Sequence, residues 1–131
     1  MILLDTCAII WDALAPSELS VKAKQAIAAA EEQQALVISD ISIWEIAMLI
    51  KKGRLEINSG TADFISLFIQ SRNVSVQHIS PKIAELSVNL PAEFNKDPAD
   101  RIISATAIVH RAQLITADQN LRENRTLRTI W

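Results

Sequence analysis

The stretch ALVISDISIWEIAMLIKKG, residues 35–53, decides the fold. Its opening, ALVIS (35–39), is an apolar run of strand length that stops at a polar residue, the mark of a strand buried on both faces. From Ser42 to Lys52 the pattern becomes helical, and Gly53 stands where a left-handed stop is expected. A buried strand feeding a helix is half of a βαβ unit, and the same alternation recurs on either side. MILLD (1–5) reads as a first strand, followed by a helix that Ser20 caps, with Leu19, Ala23, Ala26, Ile27 and Ala30 on one face. Downstream, Thr61 to Ser71 forms a helix with Phe64, Leu67 and Phe68 inward. VSVQHIS (74–80) is a strand, and Ser80 caps a helix that starts at Pro81. NLPAEFNK (89–96) is a linker, Asp97 to Arg111 a helix, and QLIT (113–116) and RTLRTI (125–130) are the last strands. Strands alternating with helices predict an α/β fold around a mostly parallel sheet covered on both faces.

Composition narrows the class. The chain has 131 residues, the size of one domain spanning 1–131. Half of the residues are apolar and two are glycine, which excludes a disordered or linker-like chain. Cys7 is the single cysteine, so no internal disulfide forms and a cytoplasmic setting is expected. Charge interrupts every long apolar run, as Glu45 does here, so no segment spans a bilayer. MILL lacks a basic leader and meets Asp5 at once, unlike a signal peptide. The net charge of −2 argues against a protein that merely coats nucleic acid.

In parallel α/β sheets, ligands bind beyond the carboxyl ends of the strands. Asp5 follows the first strand and Asp118 follows LIT by one residue. Glu45 is expected in the first turn of the helix after the second strand. Asp100 lies in the first turn of the helix beginning DPADR. Each has a structural explanation as well. Glu45 completes a capping box with Ser42; Asp97 is an N-cap with Pro98 at the first helical position; Asp100 favours the helix dipole; Asp118 starts a turn. Asp5 is harder to explain so, because a carboxylate directly after four apolar residues needs a partner. Two carboxylates about 6 Å apart repel by roughly 3 kcal/mol at an effective dielectric near 20. Convergence of all four therefore calls for a divalent cation, and oxygen donors select Mg²⁺ or Mn²⁺. His78 and His110 have no second His or Cys at ligand spacing, which argues against zinc. Both are expected to be surface or structural, and Cys7 a small core residue.

The segments MILLDTCAIIW, ISDISIWEIAMLIKKGRL and DPADRIISATAIVHRAQLITAD occur in the order of a known family. Over its whole length the chain resembles the PIN-domain ribonucleases, and more closely the VapC toxins of toxin–antitoxin pairs. The resemblance implies a three-layer α/β/α fold and a metal-dependent endoribonuclease using one or two Mg²⁺ or Mn²⁺ ions. It assigns Asp5, Glu45, Asp100 and Asp118 to the metal and catalysis. It places Thr116, Thr6 and Ser42 beside them as small polar residues. In the pattern D-P-x-D-R it makes Asp100 the ligand and Asp97 the helix cap, with Asp97 still able to join the outer shell. Arg101, about 100° around the helix from Asp100, is read as structural. The implied partners are an RNA substrate, cut to leave a 5′-phosphate and a 3′-hydroxyl, a VapB-type antitoxin that inserts an arginine, and a second copy in a homodimer. Apolar residues between 43 and 69, including Trp44, Met48, Leu49, Phe64 and Phe68, exceed what one small core can take. With four metal-binding acids set aside, the 15 acids become 11 against 13 basic residues. Lys51, Lys52 and Arg54, or Arg122, Arg125 and Arg128, are then candidates for RNA phosphates or for an ordinary solvated face. A PIN-like module with an idle site is the competing function. A phosphatase wanting D-x-D, or a receiver wanting an acidic pair, fails on Asp5-Thr6-Cys7.

Overall fold

The computed structural model describes all 131 residues. Five parallel strands form the sheet: β1 (Ile2–Leu4), β2 (Leu36–Ser39), β3 (Ser75–Gln77), β4 (Gln113–Ile115) and β5 (Arg128–Ile130). Their order is β3-β2-β1-β4-β5. β1 is central, with Leu3 paired to Val37 on one side and to Leu114 on the other. Because side chains alternate along a strand, this register sorts the core into two layers. Leu4, Leu36, Ile38 and Ile115 face one, packed with Ile9, Ile27, Ile46 and Phe68. Leu3, Val37 and Leu114 face the other, packed with Ile83, Ile103 and Leu121. The first layer is covered by α1 (Thr6–Leu14), α2 (Val21–Glu32), α3 (Asp40–Lys51) and α4 (Thr61–Ser71). The second is covered by α5 (Pro81–Asn89), α6 (Pro98–His110) and α7 (Gln119–Glu123). The result is the three-layer α/β/α sandwich expected. The chain runs from β1 outward to β3, then crosses back to β4, so the strand order reverses beside β1.

Several local expectations hold. Ser20 and Ser80 each accept a backbone N–H in the first turn of α2 and α5. Gly53 has φ +72°, a conformation that side chains with a Cβ resist. Others fail, with identifiable causes. The sequence reading placed no helix before Ser20, yet α1 begins at Thr6. Asp5 caps it by accepting the Ala8 N–H at 2.8 Å, and the β-branched Thr6, Ile9 and Ile10 disguise the start. α3 begins at Asp40, capped by Ser39 rather than at Ser42. That shift moves Glu45 into the second turn and removes the capping-box explanation for it. In α4, Ile65 and Phe68 are buried but Leu67 is exposed, so Leu67 does not face inward. Asp118 caps a short helix, α7, where only a turn was expected.

Two partly buried polar networks lie away from the strand ends. Arg72 donates to both oxygens of Asp12 at 2.8 Å and to Glu31 at 2.9 Å, tying α1 and α2 to the end of α4. Arg101 is structural, as expected: its guanidinium donates to the carbonyls of Ser87, Leu90 and Asn95. It thereby fastens the segment between α5 and α6, where Leu90 and Phe94 are buried. No helix is long and apolar enough to cross a membrane.

Candidate active site

The strand-order reversal opens a cleft at the carboxyl ends of the strands, where α/β sheets bind ligands. Asp5, Glu45, Asp97, Asp100 and Asp118 all line it. No lysine, arginine or histidine does. The fold brings each acid in by a different route. Asp5 and Asp118 directly follow β1 and the β4 turn, and each caps the next helix with one oxygen. Glu45 projects from the second turn of α3. Asp97 caps α6, accepting N–H groups of Ala99 and Asp100. Asp100 stands in the first turn of that helix.

The three small polar residues are buried around these acids. The Thr6 and Ser42 hydroxyls are 3.0 Å apart, which locks α1 against α3. Thr116 accepts the Asp118 N–H at 3.1 Å and its hydroxyl lies beside Asp5.

The electrostatics follow from this crowding without a counter-ion. Burial, opposed by the Thr116 hydroxyl and the Ala8 N–H and reinforced by Asp118 and Glu45, raises the Asp5 pKa to about 6. Burial likewise lifts Asp100 to about 6, opposed by Asn95 and reinforced by Asp97, Glu45 and Asp118. Glu45 is also raised, chiefly by burial, with Thr6 working against it and Asp97 adding repulsion. Cys7 is not a core residue: it is exposed and lines the cleft, because α1 starts early enough to turn it there. Desolvation in the cleft, followed by the fields of Asp5, Glu45, Asp100 and Asp118, pushes its thiol up to about 11. It stays protonated at neutral pH and is a poor nucleophile.

Sequence reasoning missed Asn95, which lay in the supposed linker. Its amide N–H₂ donates to Asp100 Oδ2 and to Asp118 Oδ2, each at 3.1 Å. Its carbonyl oxygen accepts from Asn120, which also donates to the Glu93 carbonyl at 3.1 Å. One neutral amide thus bridges two carboxylates that would otherwise repel directly. The only signal in the sequence is an Asn two residues before a capping Asp, and that pattern is common in loops.

The donor set suits a hard cation: carboxylate oxygens and no competing positive side chain. As they stand, no three His, Cys, Asp or Glu side chains are gathered closely enough to hold an ion.

The PIN domain family model matches residues 2–127. The chain belongs to the PIN-domain family. Among its relatives is ribonuclease VapC22 of Mycobacterium tuberculosis, 36% identical over 132 aligned positions that cover 99% of this chain and 98% of that protein. A toxin–antitoxin complex from Klebsiella pneumoniae contains a chain 29% identical, with TM-score 0.63 and coverage of 97% and 95%. VapBC2 from Rickettsia felis, crystallised with a promoter DNA fragment, has TM-score 0.75 over 98% of this chain and 97% of its own, at 18% identity. That last likeness speaks for the fold alone. The fold of this PIN domain is therefore the α/β/α type found in VapBC structures, as the sequence led us to expect.

Proposed function

We propose that this PIN domain is a Mg²⁺- or Mn²⁺-dependent endoribonuclease and the toxin of a toxin–antitoxin pair. The observation that carries the reading is a single cleft lined by Asp5, Glu45, Asp97, Asp100 and Asp118 and by no cationic side chain. Residues 1–131 act as one domain. Asp5 and Asp100 would hold the metal as its principal ligands, with Glu45 and Asp118 completing the set for one or two ions. An ion held by these residues would supply a water of lowered pKa and would neutralise charge on the scissile phosphate. The chain's own residues set the stage. Asp5 and Asp118 spend one oxygen each on a helix cap, which fixes the direction of the other. Thr116 holds the turn that carries Asp118 with its hydroxyl beside Asp5, and the Thr6–Ser42 contact fixes Glu45 by locking α3 to α1. Asp97 serves α6 as a cap and contributes negative field from the outer shell. No His or Lys lines the cleft to act as a general base.

The relatives in toxin–antitoxin complexes support a VapB-type antitoxin as partner, and an arginine from it would suit the unpaired carboxylates. A homodimer and a cytoplasmic location complete the proposal. An idle PIN-like binding module is the rival reading. The test is cleavage of RNA with Mg²⁺ or Mn²⁺ by the wild-type protein and by Asp5→Asn. Equal cleavage by the two proteins, or none by either, would reject the enzyme reading.

A further inference from the structure

A second cleft adjoins the acidic one, and two features join them. Trp11 lines the acidic cleft and Trp131 the second. Their rings lie 5.6 Å apart, tilted at 49°, and both residues are only partly buried. Asp118 lines the first cleft and its neighbour Gln119 the second. The second cleft also carries Lys22, from the start of α2, and Arg122, from α7. Arg122 stands one helical turn beyond Asp118, about 6 Å along the axis. Neither cation forms an ion pair: the molecule's salt bridges both belong to Arg72. Glu123 lies in the same cleft, its carboxylate accepting from the Gln119 amide at 2.6 Å, so with two cations the side chains of the cleft carry a net charge of +1.

Resting on the nuclease reading, we infer that a single-stranded segment of RNA leaves the acidic cleft across the Trp11–Trp131 pair. Lys22 and Arg122 take its next phosphates. Aromatic faces beside free cations are the chemistry that binds single strands, since every base presents a face to stack and every linkage a charge. A duplex keeps its bases stacked on each other and has none to offer. The other basic groups are placed differently. Arg128 is engaged by the Arg111 carbonyl, and Arg125 lies beyond Glu123 in a hollow that it shares with Glu93 and Glu123 and that reaches neither tryptophan. Lys51, Lys52 and Arg54 are exposed around the far end of α3, and none of them lines either cleft.

The test uses the full chain with Asp5→Asn to prevent cleavage and Trp44→Phe to remove the third tryptophan, which is exposed on α3. The probe is a mixed-sequence single-stranded oligoribonucleotide of about 12 nucleotides, with an RNA duplex for comparison. The single strand should quench the remaining tryptophan fluorescence and the duplex should not. Lys22→Ala with Arg122→Ala, both exposed positions, should weaken single-strand binding about tenfold and reduce the salt slope by roughly 1.4, at about 0.7 per charge. Lys51→Ala with Lys52→Ala should change neither. Unchanged affinity and slope in the Lys22/Arg122 pair would overturn the inference, as would equal quenching by duplex. So would a loss confined to antitoxin binding, which would make this a protein-docking surface. Cleavage by the wild-type protein separates the two levels. If it cuts RNA while the Lys22/Arg122 pair binds normally, the track alone is wrong. If it neither cuts nor binds RNA, the nuclease reading falls and the track with it.

Discussion

Two sets of buried carboxylates in this molecule are solved in opposite ways. Asp12 and Asp5 are almost equally buried, at 7% and 8% exposure. Asp12 meets a bidentate arginine, which also reaches Glu31. Asp5 meets a hydroxyl, one backbone N–H and more carboxylates, and its pKa climbs to about 6. The Asp12 set closes on itself and ties three helices together. The Asp5 set is left with unsatisfied charge at the end of the sheet where ligands bind. A paired buried acid is explained by the fold, whereas an unpaired one calls for something the chain itself does not contain.

The largest effect should come from breaking the unpaired set. Asp5→Asn and Asp100→Asn should each lower metal-dependent RNA cleavage more than about 100-fold, beyond the usual cost of disturbing a ligand's supporting residues. Asp97→Asn should stay within a few-fold, since Asn caps a helix about as well as Asp. A dead Asp97→Asn beside an active Asp100→Asn would reverse the roles given to the two aspartates of DPAD.

Breaking the paired set should have the opposite character. Arg72→Met strands Asp12 in the core. A broken buried pair costs about 3–5 kcal/mol, reduced here to about 2–3 kcal/mol because Arg72 is one-third exposed and solvent screens it. Thermal melting should fall by several degrees while cleavage per folded molecule is unchanged. A loss of activity without a loss of stability would mean the two sets are coupled.

Neutralising an unpaired acid should stabilise the metal-free protein. A pKa held at about 6 against 3.8 for the free group corresponds to roughly 3 kcal/mol, at about 1.4 kcal/mol per unit. Because the folded pKa is the higher one, this contribution favours folding below about pH 4 and is lost as pH rises through about 6. In chelator, Asp5→Asn should therefore melt like wild type near pH 4 and higher than wild type at pH 7. Excess Mn²⁺ should stabilise wild type by roughly 2.7 kcal/mol at about 100 times its dissociation constant, and the mutant by less. Equal Mn²⁺ gains would remove Asp5 from the metal site.

The smallest effect sharpens the boundary between the sets. Asn95→Ala removes the amide that joins Asp100 to Asp118. It should weaken Mn²⁺ affinity about tenfold, the low end for a residue that orients ligands, with little change in melting temperature in chelator. Titrating the melting temperature with Mn²⁺ measures this directly, and an unaltered midpoint would make Asn95 a loop residue only.

Much was legible in the sequence because it is written in local pattern. Buried strands at 1–5 and 35–39 and helices at 21–32 and 98–110 follow from apolar spacing and capping residues, which act within a few positions. Alternating strands and helices then leave few topologies, and the acids just after the strands mark the ligand-binding end. The strand's stop at Asp5 was legible, but the early start of α1 was hidden, because Asp5 stands out for its charge and not as the cap of a helix. The true start of α3 was hidden in a similar way, because Ser39 stands out as the end of a strand and not as a cap. With it went the knowledge that Ser42 meets Thr6, 36 residues away, instead of capping beside Glu45. Asn95 between two aspartates, Cys7 at the cleft, Leu67 turned outward and Arg72 locked to Asp12 are contacts between distant segments. The sequence by itself determined which residues carry charge and which segments could be regular. Only the tertiary structure decided which charges would be paired, because pairing depends on distance in space, and spacing along the chain does not contain it.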